Sequence, residues 1–265
     1  MLQQMNASKT RAALVVAHPG HELMVHGWLE IARPCVFVLT DGSGRANKSR
    51  LNSTTRVLER AGASTGNLYG PLTDAAAYRA ILNHEFEVFI KCVRELTAAF
   101  VSRQIDFVAG DALEGYNPMH DVCRLVINAA VAAARRDHGR EIANVDFSLV
   151  NHADAAPTPP SANDITLQLD EAALARKISV AQGYAELAGE VSSALSKSSI
   201  EAFRIERLRP VDSEGPETLT RHCSEKPPFY EQYGEKQVAA GHYTHVLRYD
   251  EHIAPLAEAL QSFSR

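Results

Sequence analysis

The sequence predicts an α/β, Rossmann-like three-layer fold with a mainly parallel sheet. Three observations carry this. Continuous apolar runs at Ala12–Ala17 and Cys35–Leu39, and a further strand segment at Ile105–Ala109 interrupted only by Asp106, fit strands buried on both faces. Turn-forming Gly, Pro or Asp residues follow those runs, and segments of helical periodicity come next. Strand, loop and helix in repetition is the pattern of right-handed βαβ units.

The elements follow in order. Ala12–Ala17 ends at His18-Pro-Gly20, and a helix is expected over Glu22–Ala32. Pro34 separates it from the strand at Cys35–Leu39. Asp41-Gly-Ser-Gly44 forms a loop before a helix over Leu51–Ala61. A short strand is expected at Asn67–Tyr69. Asp74 reads as the N-cap of one long helix through Phe100. Ile105–Ala109 leads into the loop Gly110–Pro118, then a helix over His120–Arg136 and a strand over Val145–Val150. Ala155–Asn163, rich in Pro, Ala and Ser, reads as a loop or internal linker. A long helix from Asp170 to Leu195, strands at Ile200–Leu208 and His245–Tyr249, and a closing helix at Pro255–Phe263 complete the chain. The whole of 1–265 is expected to form one α/β domain, with 156–265 an extension packed on it.

Composition narrows the function. The 265 residues carry 27 basic and 32 acidic side chains, a formal net charge of −5. A nucleic-acid binder would be expected to show a basic excess. No run approaches about 18 apolar residues, so no membrane span is expected, and the polar N-terminus lacks a signal-peptide core. Cys35, Cys92, Cys123 and Cys223 form no C-x-x-C pair and read as reduced, buried thiols of a cytoplasmic protein. Without a secretory signal, Asn47-Lys-Ser and Asn52-Ser-Thr read as chance matches to a glycosylation pattern. The G-x-G at Gly42–Gly44 lacks a third glycine and follows the second strand, which argues against a dinucleotide cofactor.

Ligands of open α/β sheets bind beyond the carboxyl ends of the strands. There the sequence places His18 and His21 in one turn and His120 at the start of a distant helix. Three imidazoles leave one position of a tetrahedral zinc site open to water, a set suited to hydrolysis. The alternative is that they are ordinary hydrogen-bonded loop histidines.

Val15-Val-Ala-His-Pro-Gly-His-Glu22 resembles the A-H-P-D-D-E signature of the PIG-L / LmbE-like zinc-dependent N-deacetylases. Val36-Phe-Val-Leu-Thr-Asp-Gly42 is similar to that family's second strand and T-D-G turn. Glu114-Gly-Tyr-Asn-Pro-Met-His120 is similar to its segment ending H-P-D-H, and the helix around Lys177 to a late family helix. The resemblance implies a zinc ion on His18, His21 and His120, with His21 in place of a ligating Asp. It also marks departures. Gly20 stands at the general-base Asp, Asn117 at the first His of H-P-D-H, and Met119 at its Asp.

Substitute bases are sought in Glu114, Asp121 and Asp41, each with a structural alternative: a solvated loop carboxylate, a first-turn helix residue and a turn former. The function expected is hydrolysis of a small N-acylated amine, such as an acylated amino sugar. The alternative is a catalytically silent or chemically altered member that binds a metabolite or a metal. Iron, cobalt and copper suit the same donors. Arg45, Lys48 and Arg50 are candidates for a substrate carboxylate or phosphate. Tyr230, Tyr233, His242 and His245 are candidate substrate contacts, and the aromatic segment Lys226–Tyr233 is compatible with a lid, a homo-oligomer contact or core.

Overall fold

The computed structural model describes residues 10–149, 161–211 and 227–264. Its frame is a seven-stranded sheet built from β1 (Ala12–Val16), β2 (Cys35–Thr40), β3 (Ser64–Leu72), β4 (Phe107–Asp111), β5 (Ala143–Phe147), β6 (Ile165–Gln168) and β7 (Ile205–Pro210), in the spatial order β3-β2-β1-β4-β5-β7-β6. The first five strands are parallel. β7 runs antiparallel to both β5 and β6. The α/β class and mainly parallel sheet expected from the sequence are therefore present.

Alternation along the buried strands supplies two cores. Ala13, Val15, Phe37 and Leu39 face α4 (Glu87–Ser102), α5 (Pro118–His138) and α9 (Ala254–Ser264), packing with Phe89, Phe100, Val126 and Leu256. Leu14, Val16, Val36 and Val38 point the other way, toward Trp28 on α1 (His26–Ala32), Leu58 on α2 (Leu51–Ala61) and Tyr184. Each such side chain contributes about 1.5–3 kcal/mol on burial. Helices on both faces of a twice-buried sheet make the three layers.

Several boundaries differ from the sequence expectation, each for a local reason. The helix after β1 begins as a 3₁₀ turn, His21–Val25, before α1. The long helix from Asp74 is two, α3 (Asp74–Leu82) and α4, parted by a turn in which His84 takes a φ of 57°. Thr73, not Asp74, caps α3: its hydroxyl accepts from Ala76 N at 3.1 Å, freeing the Asp74 side chain. Gly183 ends α6 (Glu171–Gln182), and α7 (Ala188–Lys197) follows a second 3₁₀ turn, so the helix expected through Leu195 is also divided.

Ile200–Phe203 is a 3₁₀ turn ahead of β7, not strand. His245–Tyr249 forms no strand; the chain enters a π turn at Tyr249–Ile253 and then α9. The aromatic segment opens α8 (Phe229–Ala239), and β6 lies where no strand was expected. The start of the chain, Val150, most of the Ala155–Asn163 stretch and Cys223 lie outside the described residues. Cys35, Cys92 and Cys123 are free and buried.

The sheet order fixes where a ligand fits. The chain leaves β1 toward β2 on one side, and β4 lies on the other, so a crevice opens at the carboxyl ends of β1 and β4. His18 follows β1. His120 follows β4 on α5, whose start is set by Asn117 accepting from Met119 N at 2.8 Å and by Pro118 in the first turn.

Candidate metal centre

Three imidazoles meet at this crevice. The ring centres of His18 and His21 are 5.3 Å apart, those of His18 and His120 5.4 Å, and those of His21 and His120 4.6 Å. An imidazole at the Zn–N distance of about 2.0–2.1 Å keeps its ring centre about 3.2 Å from the ion, so a tetrahedral angle puts two ring centres about 5.2 Å apart. The two His18 spacings match that distance, whereas the 4.6 Å between His21 and His120 is shorter. The rings pack edge to face, and among the described residues no group of three or more His, Cys, Asp and Glu side chains is already arranged to hold a metal. Metal binding therefore requires the rings to turn from this packing.

Two of the rings are braced from behind by buried carboxylates. His18 Nδ1 lies 2.8 Å from Thr40 Oγ1 and 3.1 Å from Asp74 Oδ1. His21 Nδ1 lies 2.9 Å from Asp111 Oδ2, which also accepts from Ala17 N at 2.8 Å. A carboxylate on Nδ1 holds the proton there and leaves Nε2 a lone pair for an ion. Burial by itself would raise the Asp74 carboxyl, but the hydrogen bond and charge of His18, with Thr40 and Gly44, hold it below the usual carboxylate range. His120 has no such brace: its buried Nδ1 lacks a hydrogen-bond partner. Burial, then the neighbouring His21 and His18, push its imidazole well below the ordinary histidine value, so the ring is neutral, the form that binds metal.

The turn between β1 and His21 has its own support. Glu22 is fully buried and accepts from Gly20 N at 2.7 Å and from Thr54 Oγ1 at 2.8 Å, with the Tyr184 hydroxyl 2.9 Å from the same Thr54 oxygen. Burial raises the Glu22 carboxyl in spite of these bonds. Glu22 therefore holds the turn. Behind α1, Glu206 accepts from Gly27 N and Trp28 N, both at 2.8 Å, and from Lys177 Nζ at 2.9 Å, while Lys177 also donates to Met24 O. The C-terminal strands and helices thereby clamp the helix that follows the His18–His21 turn.

The three carboxylates considered as bases are placed as follows. Glu114 accepts from the Ser148 hydroxyl and from Leu149 N, which ties its loop to the end of β5. Asp41 accepts from Ser43 N at 2.9 Å, as a turn former does. Asp121 is wholly buried and accepts from Glu114 N and Gly115 N at 3.0 and 3.1 Å through Oδ1, while Oδ2 has no partner. Burial raises its carboxyl to about 7 against those two N–H bonds. Asn117 Oδ1 accepts from the Tyr78 hydroxyl at 3.0 Å as well as from Met119 N.

Sequence reasoning missed Asp74 and Asp111. Asp74 read as a helix cap and Asp111 as a loop residue. The available signal was position: Asp111 closes a buried strand whose neighbour in the sheet ends at His18.

No family model matches this sequence, and no curated protein matches it. Solved structures match in fold. The A40926 pseudoaglycone deacetylase Dbv21 has a TM-score of 0.55 and 19% identity, over 78% of this chain and 98% of that one. A deacetylase from the teicoplanin biosynthesis pathway has a TM-score of 0.52 and 11% identity, over 76% and 97%. The conserved protein TT1542 from Thermus thermophilus has a TM-score of 0.51 and 17% identity, over 76% and 93%. The chain thus shares its α/β fold with proteins that include deacetylases. Among the described residues, no helix is long and apolar enough to cross a membrane.

Proposed function

We propose that the protein is a metal-dependent amide hydrolase that deacylates a small N-acylated amine, with His18, His21 and His120 as the metal ligands. The observation that carries this reading is the meeting of three imidazoles at the sheet's switch point, two of them backed by the buried Asp74 and Asp111. The shared fold with deacetylases supports the reaction class. His18, His21 and His120 would hold the zinc, which would supply Lewis acidity toward an acyl carbonyl and a water. Iron, cobalt and copper accept the same donors.

The chain's own residues do the rest. Asp74 and Asp111 hold two rings with Nε2 presented. Of the three candidate bases, Asp121 keeps an oxygen that no group among the described residues engages, and we assign it the proton transfer. Glu114 and Asp41 are committed to their loops. The buried, reduced thiols suit a cytoplasmic setting.

A second reading is a member of this fold that binds without turnover, and it rests on Gly20. A β-carbon there would stand 2.4 Å from Leu187 Cδ1, so the space for a carboxylate at this position is filled. Metal analysis of tag-free protein, with hydrolysis of a panel of N-acetyl amines, separates the two. The hydrolase reading expects about one metal per chain, its loss in both His18→Ala and His120→Ala, and turnover that Asp121→Asn abolishes with metal retained. Metal bound without turnover on any N-acyl amine leaves the binding reading. Stoichiometric metal surviving both histidine substitutions overturns the site itself.

A further inference from the structure

Three cations stand in the loop after β2, and each has a protein partner. Lys48 lies 3.7 Å from Glu186, and Arg50 Nε donates to Gly42 O. Arg45 differs. Its Nη2 donates to the Tyr233 hydroxyl at 3.3 Å, Gln237 Oε1 at 2.6 Å and the Tyr243 hydroxyl at 3.4 Å, and its guanidinium carbon sits 5.3 Å from the Tyr243 ring centre. All these partners are neutral. Among the described residues no carboxylate pairs with Arg45, and its Nε and Nη1 make no hydrogen bond. Both bidentate edges of the guanidinium include the occupied Nη2, so the unused Nε and Nη1, which share no edge, can each meet an anion oxygen through a single hydrogen bond.

Aromatic rings surround this guanidinium. Phe229 stacks on Tyr116 at 4.8 Å with 6° between planes, and on Tyr233 at 6.2 Å. Phe229, Tyr233 and Tyr243 are 42%, 40% and 41% exposed, whereas most large apolar side chains of the protein lie buried. The exposed rings of Tyr233 and Tyr243 beside Arg45 form a platform for a flat ligand. The platform adjoins the histidines on two sides. Gly44, next to Arg45, donates its N–H to Asp74 Oδ2 at 2.7 Å, and Asp74 holds His18. Tyr116 precedes His120 by four residues, in the loop that accepts from Tyr230 N through Gly115 O.

We propose that this platform is a substrate subsite for an aromatic ring bearing a carboxylate, with Arg45 the anion contact and Tyr233 and Tyr243 the ring contacts. It names a substrate class, N-acylated aromatic amino acids and their like, and it rests on the hydrolase reading for the fate of the ligand but not for its binding. The arrangement supplies both parts of such a molecule: a guanidinium with no carboxylate partner for the anion and rings for stacking, linked to the histidines through Gly44 and Asp74. A purely structural role, in which Arg45 only fastens α8 to the loop, predicts no ligand preference.

The test uses N-acetylphenylalanine as probe, with N-acetylphenylalaninamide lacking the charge and N-acetylalanine lacking the ring. Binding to the full chain is measured by calorimetry and by ligand-observed NMR. The expected result is affinity for the first probe at least about tenfold above either of the others. Arg45→Gln is expected to erase the preference for the carboxylate, Arg45→Lys to restore part of it, and Tyr243→Leu to erase the preference for the ring. Equal binding of the three probes, no saturable binding, or affinities unmoved by Arg45→Gln overturns the subsite. Repeating the titration on His120→Ala separates the two proposals. Preference that persists without metal or turnover supports the subsite even where the hydrolase reading fails. Equal binding and equal turnover of N-acetylalanine and N-acetylphenylalanine by the unaltered protein keeps the hydrolase and removes the subsite.

Discussion

Gly20 and Leu187 compete for one space. Gly20 holds a φ of 107°, in the region that side chains rarely adopt, and a β-carbon on it would lie 2.4 Å from Leu187 Cδ1. Leu187 comes from the 3₁₀ turn between α6 and α7, so the C-terminal part of the chain fills the space beside Gly20. Strained backbone at a non-glycine residue costs of order 1–3 kcal/mol. Gly20→Asp is therefore expected to lower stability by about that amount in denaturant unfolding. Adding Leu187→Ala relieves the clash but not the backbone strain, so the double variant is expected to recover only part of the loss. Only the double variant is expected to gain hydrolytic rate. A single Gly20→Asp as stable as the unaltered protein would refute this account of the turn.

Asp111 acts on the site through His21. Its Oδ2 takes both Ala17 N and His21 Nδ1, which joins the end of β1 to the ring that follows. Outer carboxylates of this kind set ring orientation, and their loss typically weakens metal affinity by about 10–100-fold. Asp111→Asn keeps the volume and one acceptor but removes the charge. A chelator competition is expected to show weaker metal binding by about that factor, with circular dichroism unchanged. Undiminished affinity would make Asp111 a strand-end fastener and nothing more.

The parts of this design that are legible in the sequence are those set by local pattern. β1 is a continuous apolar run, and β2 and β4 are apolar up to the closing Thr40 and Asp111, as parallel strands buried on both faces require. The His-Pro-Gly turn and the Asn-Pro helix start are local signals too, and they suffice to put His18, His21 and His120 at strand ends. The remainder is set by distant contacts. Asp74 carries every sign of a helix start, and only packing shows that Thr73 does the capping. β6, at the sheet's edge, is only four residues long and too short for its pattern to stand out, whereas most of β7 falls within the strand expected at Ile200–Leu208. The break at His84 is a left-handed residue inside an otherwise helical pattern.

Burial governs the thiols as well. It pushes Cys92 up to about 12, Cys123 well above the ordinary thiol value, and Cys35 upward. At pH 8 the thiolate of a group at about 12 is roughly one part in ten thousand, and the thiolate is the reactive form. Native protein treated with iodoacetamide at pH 8 is expected to show no modification at these three positions by peptide mass mapping, and full modification after unfolding. Rapid labelling of Cys92 or Cys123 in the native state would contradict the packing of α4 against α5.

Lys177 and Glu206 form a pair whose removal should be felt across the C-terminal half. Both side chains are buried, at 8% and 1% exposure, and they meet at 2.9 Å. Glu206 also receives two N–H groups from the first turn of α1, where a negative charge is favoured by the helix dipole. Breaking a buried pair leaves an uncompensated charge and costs about 3–5 kcal/mol. Lys177→Met is expected to lose that much in urea unfolding. Replacing both, Lys177→Met with Glu206→Gln, removes the stranded charge while the amide oxygen still accepts one N–H. The double variant is therefore expected to be more stable than Lys177→Met alone. If the two single losses simply added, the pair would not be coupled, and α1 would be held by its apolar face alone.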